Sequence, residues 1–352
     1  MTDVLNALAG IVPGSPLAAL RERRAEAREH TQGSYRALFQ PAEPGGVSRH
    51  ERAAIAVRVA AAHRDRRLAD HYAAALANGE IPADRLDAEL AHADLLATHP
   101  ADAGPEHLVA LGAAGLSVRD IVTVSQVIAY VSFQARVLAA LLLLGGQPVP
   151  AAEPARKLRS AAARRRFTQA ELGWQPWVAP LGEDEAGPEE QAALGARAGS
   201  PYFRLLARDP AVLVERTATD VAIFRSEGGL PRAERELGAV AASLVNGCVY
   251  CASVHARFAS HFSGRSDDVQ RLLDQGLEAP LDDRWRALVG FAAALGQTPP
   301  RADASDVAAL REVGLDDLEI LDLAQATAFF AWANRLMLTL GEPTGAEAVV
   351  GR

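Results

Sequence analysis

One pattern occurs twice in this chain, and it narrows the folds open to it. Gly115-Leu116, Gln126, Phe133 and Arg136 are matched by Gly314-Leu315, Gln325, Trp332 and Arg335 at the same internal spacing, an offset of 199. A second echo lies upstream. Glu51-Arg52-Ala53-Ala54-Ile55-Ala56 runs alongside Glu236-Leu237-Gly238-Ala239-Val240-Ala241 at an offset of 185. Two segments recurring in the same order imply two copies of one module, the second carrying a short insertion.

The module reads as helical. Ala and Leu abound, while aromatics make up only 5% of the chain, a composition that favours helices over sheets. The expected fold class is therefore all-α, with two tandem helical modules. Ser48-Arg49-His50-Glu51 has the form of a capping box that starts a helix, broken near His63 and reaching about Asn78. Leu17 to Arg28 and Leu86 to Thr98 also read as helix, and Val118 to Leu144 is a long apolar helix closed by Gly145-Gly146. Residues 200–226 read as helix with a break at Asp209-Pro210. Helices are then expected over 231–245, 248–262, 266–275, 282–295, 304–312 and 316–340, with almost no strand. The first module is assigned to 1–150, a linker and Trp-containing strap to 151–199, and the second module to 200–352. Arg156 to Arg166 reads as a basic helix, and 182–199 as partly irregular.

At 352 residues and 49% hydrophobic content, each half can bury a core. The formal net charge of −8 argues against a nucleic-acid surface. The longest unbroken apolar run, Val137 to Leu144, is too short to span a bilayer, so no membrane partner is expected. Met1-Thr2-Asp3-Val4 does not resemble a signal peptide. Two cysteines without a wider disulfide framework fit a reducing cytoplasm.

Both cysteines fall in one stretch, Asn246-Gly247-Cys248-Val249-Tyr250-Cys251-Ala252-Ser253-Val254-His255. On a helix, Cys248, Cys251 and His255 share a face. Glu236 lies twelve residues before Cys248, in the helix leading into the motif. The set has the parts for thiol redox chemistry: an attacking thiolate, a resolving thiol, a base and a group to orient the base. Other readings fit the same residues. The thiols could be small core residues, or they could join His255 as three of the ligands of a structural zinc, although no further Cys or His pair stands at standard spacing. Tyr250, Phe258, Phe262, Phe329, Phe330 and Trp332 suit either an apolar pocket or the core. At the offset of 185, His63, Arg66 and Asp70 fall where the thiols and His255 stand, so the first module has no thiol to offer.

The pattern Glu236-x11-Cys248-x2-Cys251-x3-His255 resembles the active site of AhpD-like alkylhydroperoxidases in the carboxymuconolactone decarboxylase superfamily. Leu230-Pro231, Asn246 to Cys251 and Ala331-Trp332-Ala333-Asn334-Arg335 resemble its uncharacterised peroxidase-related branch. The resemblance covers residues 200–340 well and 1–150 weakly, there as a degenerate copy. It implies an all-α oligomer, commonly a trimer of tandem modules, that reduces hydroperoxides through a disulfide. It also implies that Cys251 attacks, Cys248 resolves, and Glu236 with His255 relays protons, with no cofactor and no metal. A dithiol of lipoyl or thioredoxin type would be the reductant. The additional relay histidine found between the cysteines and the motif histidine in some relatives is absent, since Ala252, Ser253 and Val254 occupy that interval. The relay would then be shorter, or would use Tyr250 or water. A CxxC disulfide reductase or redox sensor, and a non-redox decarboxylase-like protein, are the alternatives.

Overall fold

The computed structural model describes residues 3–76, 82–149 and 166–345. They are overwhelmingly helical. The first half holds α1 (Val4–Leu8), α2 (Pro16–Glu22), α3 (Ala25–Phe39), α4 (Arg49–Ala62), α5 (Arg66–Ala73), α6 (Ala83–Thr98), α7 (Pro105–Ala113) and α8 (Val118–Leu144). The second holds α9 (Pro188–Leu194), α10 (Pro201–Leu206), α11 (Pro210–Arg225), α12 (Arg232–Asn246), α13 (Val249–Ser263), α14 (Ser266–Gln275), α15 (Asp283–Gly296), α16 (Ala304–Glu312) and α17 (Asp317–Leu340).

Local chemistry sets most of these boundaries. The Ser48/Glu51 capping box forms at the start of α4. α8 and α17 open on matching boxes, Ser117 with Asp120 and Asp316 with Glu319, each just beyond a left-handed glycine, Gly115 or Gly314. Each box satisfies backbone N–H groups that a helix start leaves unpaired. Some expectations need correction. The helix expected over Leu17–Arg28 is two helices, broken at Arg23-Arg24, and α3 continues to Phe39. The 182–199 stretch, expected to be partly irregular, contains α9. Gly173–Pro176 (β1) and Gly341–Thr344 (β2) form a small antiparallel sheet that ties the strap to the end of α17, where Trp174 Nε1 donates to the Met337 carbonyl at 3.2 Å. The basic helix expected over Arg156 to Arg166 and the end expected near Asn78 lie outside the described residues, Arg166 apart.

The two halves repeat one packing scheme. α4 packs against α5, α6 and α8, as α12 packs against α13, α15 and α17. α14 has no counterpart among the described residues and supplies the insertion. The register of the first segment differs from the one expected. Arg85 Nε donates to Glu51 at 2.6 Å, and Arg284, 199 residues on, donates to Glu234 with Nε and Nη2 at 2.7 Å each. Arg52 donates to the Leu38 carbonyl at 2.8 Å, and Arg235 to that of Ile223 at 3.0 Å. Glu51 therefore pairs with Glu234, not Glu236, an offset of 183 rather than 185. Asp65, Leu68 and Tyr72, rather than His63, Arg66 and Asp70, stand where the thiols and His255 stand.

The halves are laced together. α8 packs along α17, and α3 along α11. Arg136 Nη2 reaches the carbonyl of Gly296 at the end of α15 at 2.7 Å, and Arg335 Nη2 reaches that of Ala97 near the end of α6 at 2.8 Å. Each buried guanidinium thus meets the negative end of a helix in the opposite half. Trp332, fully buried, donates to Gln126 Oε1 at 2.7 Å. Truncating it to Ala would cost roughly 3–5 kcal/mol.

α8 also corrects the membrane argument. The strict run Val137–Leu144 is short, yet the whole helix is long and apolar enough to cross a membrane by length and composition, because from Ile121 to Leu144 Arg136 is the one charged residue. Its most apolar window is 89% buried inside the protein, as for a core helix.

Candidate active site

The site is built at the turn between α12 and α13. Gly247 caps α12 at φ 76°, a left-handed conformation that residues with a Cβ adopt at a cost. That turn makes Cys248 the N-cap of α13 and places Cys251 third in the helix. Gly238 lets α12 lie close to α17, since a Cβ there would sit 2.9 Å from Leu323 Cδ1.

Both cysteines are free thiols and both are buried. Their side chains enter the core shared by the two halves, with Tyr202, Phe329 and Trp332. Val249, Ala252 and Ala256, elsewhere around the helix, pack into the core of the second half. The thiol stripe therefore faces the seam between the modules. The two thiols lie close enough to act on one another's ionisation. Burial pushes the Cys251 thiol well up, and Cys248 pushes it further, while Arg216 pulls it down. A neutral thiol is the form that a low-dielectric surrounding favours.

Glu236 and His255 form the second pair. His255 Nδ1 lies 2.5 Å from Glu236 Oε2, and Glu236 is fully buried. The other carboxylate oxygen accepts from Arg232, one turn earlier on α12. An Nδ1–H held by a carboxylate leaves Nε2 as the acceptor of the ring, the arrangement a base needs. The imidazole packs edge-on against Phe330, with centroids 4.1 Å apart.

The structure thus brings Cys248 to Cys251 and Glu236 to His255. It does not join the pairs, since among the described residues His255 makes no hydrogen bond to either thiol. Tyr250 is half-buried, and both thiols raise its hydroxyl further after burial itself. The aromatic set divides. Phe329, Phe330 and Trp332 are core, whereas Phe258 and Phe262 are 42% and 50% exposed. Among the described residues no group of three or more His, Cys, Asp or Glu side chains is arranged to hold a metal ion.

Four further residues belong to this neighbourhood. Tyr202 on α10 lies beside both thiols. Arg216 on α11 donates to the Tyr202 hydroxyl at 3.2 Å. Asp220, one turn on, has its carboxyl pushed up by burial and pulled down by Arg216 and His255. Arg232 completes the set. The four-residue spacing of Arg232 from Glu236 was a usable signal. Arg216 and Asp220 lie in a stretch that reads only as helix.

Residues 210–294 match the Carboxymuconolactone decarboxylase family model. No curated protein matches the chain. Among solved structures, it is similar to an alkylhydroperoxidase AhpD core, an uncharacterized peroxidase-related protein from Ralstonia eutropha JMP134. The identity is 26% over 53% of this chain and 92% of that one, with a TM-score of 0.40. An uncharacterized peroxidase-related protein from Silicibacter sp. TM1040 is similar at 25% identity, over 57% of this chain and 97% of that one, with a TM-score of 0.40. The debrominase Bmp8 is similar at 19% identity, over 45% and 87%, with a TM-score of 0.37. The matched residues run from α11 into α15 and contain Glu236, Cys248, Cys251 and His255, so this segment of the chain is similar to the carboxymuconolactone decarboxylase family.

Proposed function

We propose that the protein is a thiol-dependent, peroxidase-like oxidoreductase that reduces hydroperoxides at Cys251 and Cys248. The observation that carries this reading is the pair of free, buried thiols at the start of α13, one turn from a carboxylate-held imidazole. The Cys251 thiolate attacks the terminal oxygen of the peroxide, the O–O bond breaks, and the departing alkoxide takes a proton to leave as an alcohol. The product is a Cys251 sulfenic acid. The Cys248 sulfur then displaces its hydroxyl as water, forming the Cys248–Cys251 disulfide. An external dithiol of lipoyl or thioredoxin class reduces that disulfide by exchange and is itself oxidised. His255, oriented by Glu236, moves the protons. The reading extends to a cytoplasmic homo-oligomer, a trimer of tandem modules, whose mass light scattering would measure.

The test is peroxide titration of the reduced protein with thiol counting and mass spectrometry. One equivalent should remove two thiols and two hydrogens, and dithiothreitol should restore both. Free thiols persisting in a protein that still turns over peroxide would reject the cycle. Thiol loss with no peroxide-dependent turnover would favour a disulfide reductase or sensor on the same residues.

A further inference from the structure

Among the described residues, Arg216 is a buried guanidinium with one hydrogen-bond acceptor, the Tyr202 hydroxyl, and one carboxyl nearby, Asp220 one turn on. It is 3% exposed. Its guanidinium lies over the rings of Phe329, Tyr202 and Trp332, at 5.0, 5.8 and 5.9 Å from their centroids. The Tyr202 hydroxyl is its hydrogen-bond acceptor, and its buried Nε has none. Other buried arginines are committed elsewhere. Arg24 and Arg235 share Asp322, while Arg136 and Arg335 hold backbone carbonyls across the seam. A desolvated guanidinium costs several kcal/mol unless something offsets it. Three aromatic faces return part of that. Asp220 returns a further part, and Arg216 also meets the thiol pair, which shares a core cluster with Tyr202, Phe329 and Trp332.

The thiols need such a charge. Cys251 sits in a surrounding that favours the neutral form, and His255 is bonded to Glu236 rather than to either sulfur. We propose that Arg216, held by Tyr202 and stacked on Phe329, is the cation that stabilises the Cys251 thiolate, a positioning residue for the thiol chemistry. The proposal rests on the reading that these thiols are the reactive groups. Ionisation sends the Cys251 proton out by way of water and His255, and the thiolate left behind faces the guanidinium. The titratable and charged groups around Cys251 are Cys248, Tyr250 and His255 on its own hairpin, Glu236 on α12, Tyr202 on α10, and Arg216 and Asp220 on α11. From α17 it meets Phe329 and Trp332, which carry no charge. Arg232, the other cation of this neighbourhood, is paired with Glu236, which leaves Arg216 as the cation facing the thiols.

The experiment is the pH dependence of iodoacetamide alkylation of Cys251 in a Cys248→Ser background, which needs no peroxide. Arg216→Met should move the alkylation midpoint up by about one pH unit, so that the rate near pH 7.5 falls about tenfold, while the high-pH plateau stays put. Arg216→Lys should restore most of the shift, since it keeps the charge. An unmoved midpoint in Arg216→Met overturns the proposal. Should Arg216→Met not fold, Tyr202→Phe removes only the anchoring hydroxyl. It must move the midpoint in the same direction by a smaller amount, and an unchanged midpoint there overturns the proposal equally. A shifted midpoint in a protein without peroxide turnover would keep this role for Arg216 and remove the peroxidase reading. An unshifted midpoint with full turnover would do the reverse.

Discussion

The hairpin α4–α5 and the hairpin α12–α13 share a course and differ in side chains. Where the second half has Cys248 at the N-cap, the first has Asp65, whose carboxylate accepts from the Leu68 N–H at 3.0 Å. Where the second has Cys251, the first has Leu68, fully buried. Tyr72 stands in place of His255 and donates to Gln134, and Ala53 stands in place of Glu236. The first half fills these positions with capping and packing groups, so the fold does not depend on the redox set. The first half keeps the hairpin's course without the thiols, the imidazole and the buried carboxylate, and that asymmetry supports the proposal that the second half uses them for chemistry.

The largest expected effect tests that assignment directly. Cys251→Ser, and separately Cys248→Ser, should lower steady-state peroxide consumption by on the order of a hundredfold or more, with the thermal midpoint nearly unchanged. Turnover persisting in the double variant would place the chemistry in the first half and break the comparison.

A second contrast predicts a pH effect. Arg85 and Arg284 are equivalent, and so are Glu51 and Glu234, but one turn beyond Arg85 the first half has Glu89 where the second has Leu288. Glu89 is fully buried. Burial first, and then the neighbouring Glu51, push its carboxyl up to about 8, and Arg85 only partly opposes them. Asp120 adds a further push in the same direction. With a proton on, Glu89 can donate to Glu51, which burial pushes up but hydrogen bonds from Ser48 and Arg85 hold below the usual carboxylate range. The folded-state value of Glu89 exceeds its ordinary 4.5, so the folded protein binds the extra proton between about 4.5 and about 8. Stability should therefore fall as pH rises through that window, by several kcal/mol at its upper end. Glu89→Leu, which copies Leu288, should flatten the curve when denaturation midpoints are compared near pH 5 and pH 9. An equal slope in both proteins would reject the buried acid.

The crossed arginines sharpen the pseudosymmetry itself. Burial pushes Arg335 down to about 9 and Arg136 well down, yet each spans the seam to a helix end of the other half. Arg136→Met and Arg335→Met should each cost about 2–3 kcal/mol by urea denaturation, because each leaves a carbonyl of the opposite half unpaired. Both donate to Thr298 Oγ1, at 3.0 and 3.2 Å, so the double variant should be less than additive. One large effect and one negligible effect would show that the halves are not energetically equivalent.

Much of the fold was legible because it is written locally. Capping boxes, Pro at helix starts and Gly at helix ends fixed boundaries to within a residue or two across the second half. The repeat was legible in α8 and α17, where Gly, Gln, an aromatic and Arg recur at one spacing. It was misregistered at α4, because Glu234 and Glu236 are two residues apart and only the ion pair with Arg284 tells which one answers to Glu51. The strands could not be read, since Gly173-Trp174-Gln175-Pro176 and Gly341-Glu342-Pro343-Thr344 lack an alternating pattern. The cysteine stripe was legible from spacing alone. Arg216 was not, because a lone arginine within a helix says nothing about burial until α10, α13 and α17 close around it.

The smallest expected effect concerns the turn that both hairpins share. After α12 the chain reverses through Gly247 at φ 76°, and after α4 it reverses through Arg64 at φ 56°, the described non-glycine residue with a positive φ. A Cβ in the left-handed region costs roughly 1–2 kcal/mol, partly recovered on the other side of the equilibrium because glycine loses more freedom on folding. The Arg64 side chain is exposed and among the described residues no hydrogen bond holds it, so little besides the backbone term changes when it is removed. Arg64→Gly should therefore stabilise the protein by up to about 1 kcal/mol. Gly247→Ala should destabilise it by about the same amount or more, and it should also slow Cys251 alkylation, because the turn sets where α13 begins. The opposite signs are the content of the prediction. If Arg64→Gly were destabilising in the same denaturation experiment, the two turns would not be doing the same work, and the hairpins would share a course without sharing the reason for it.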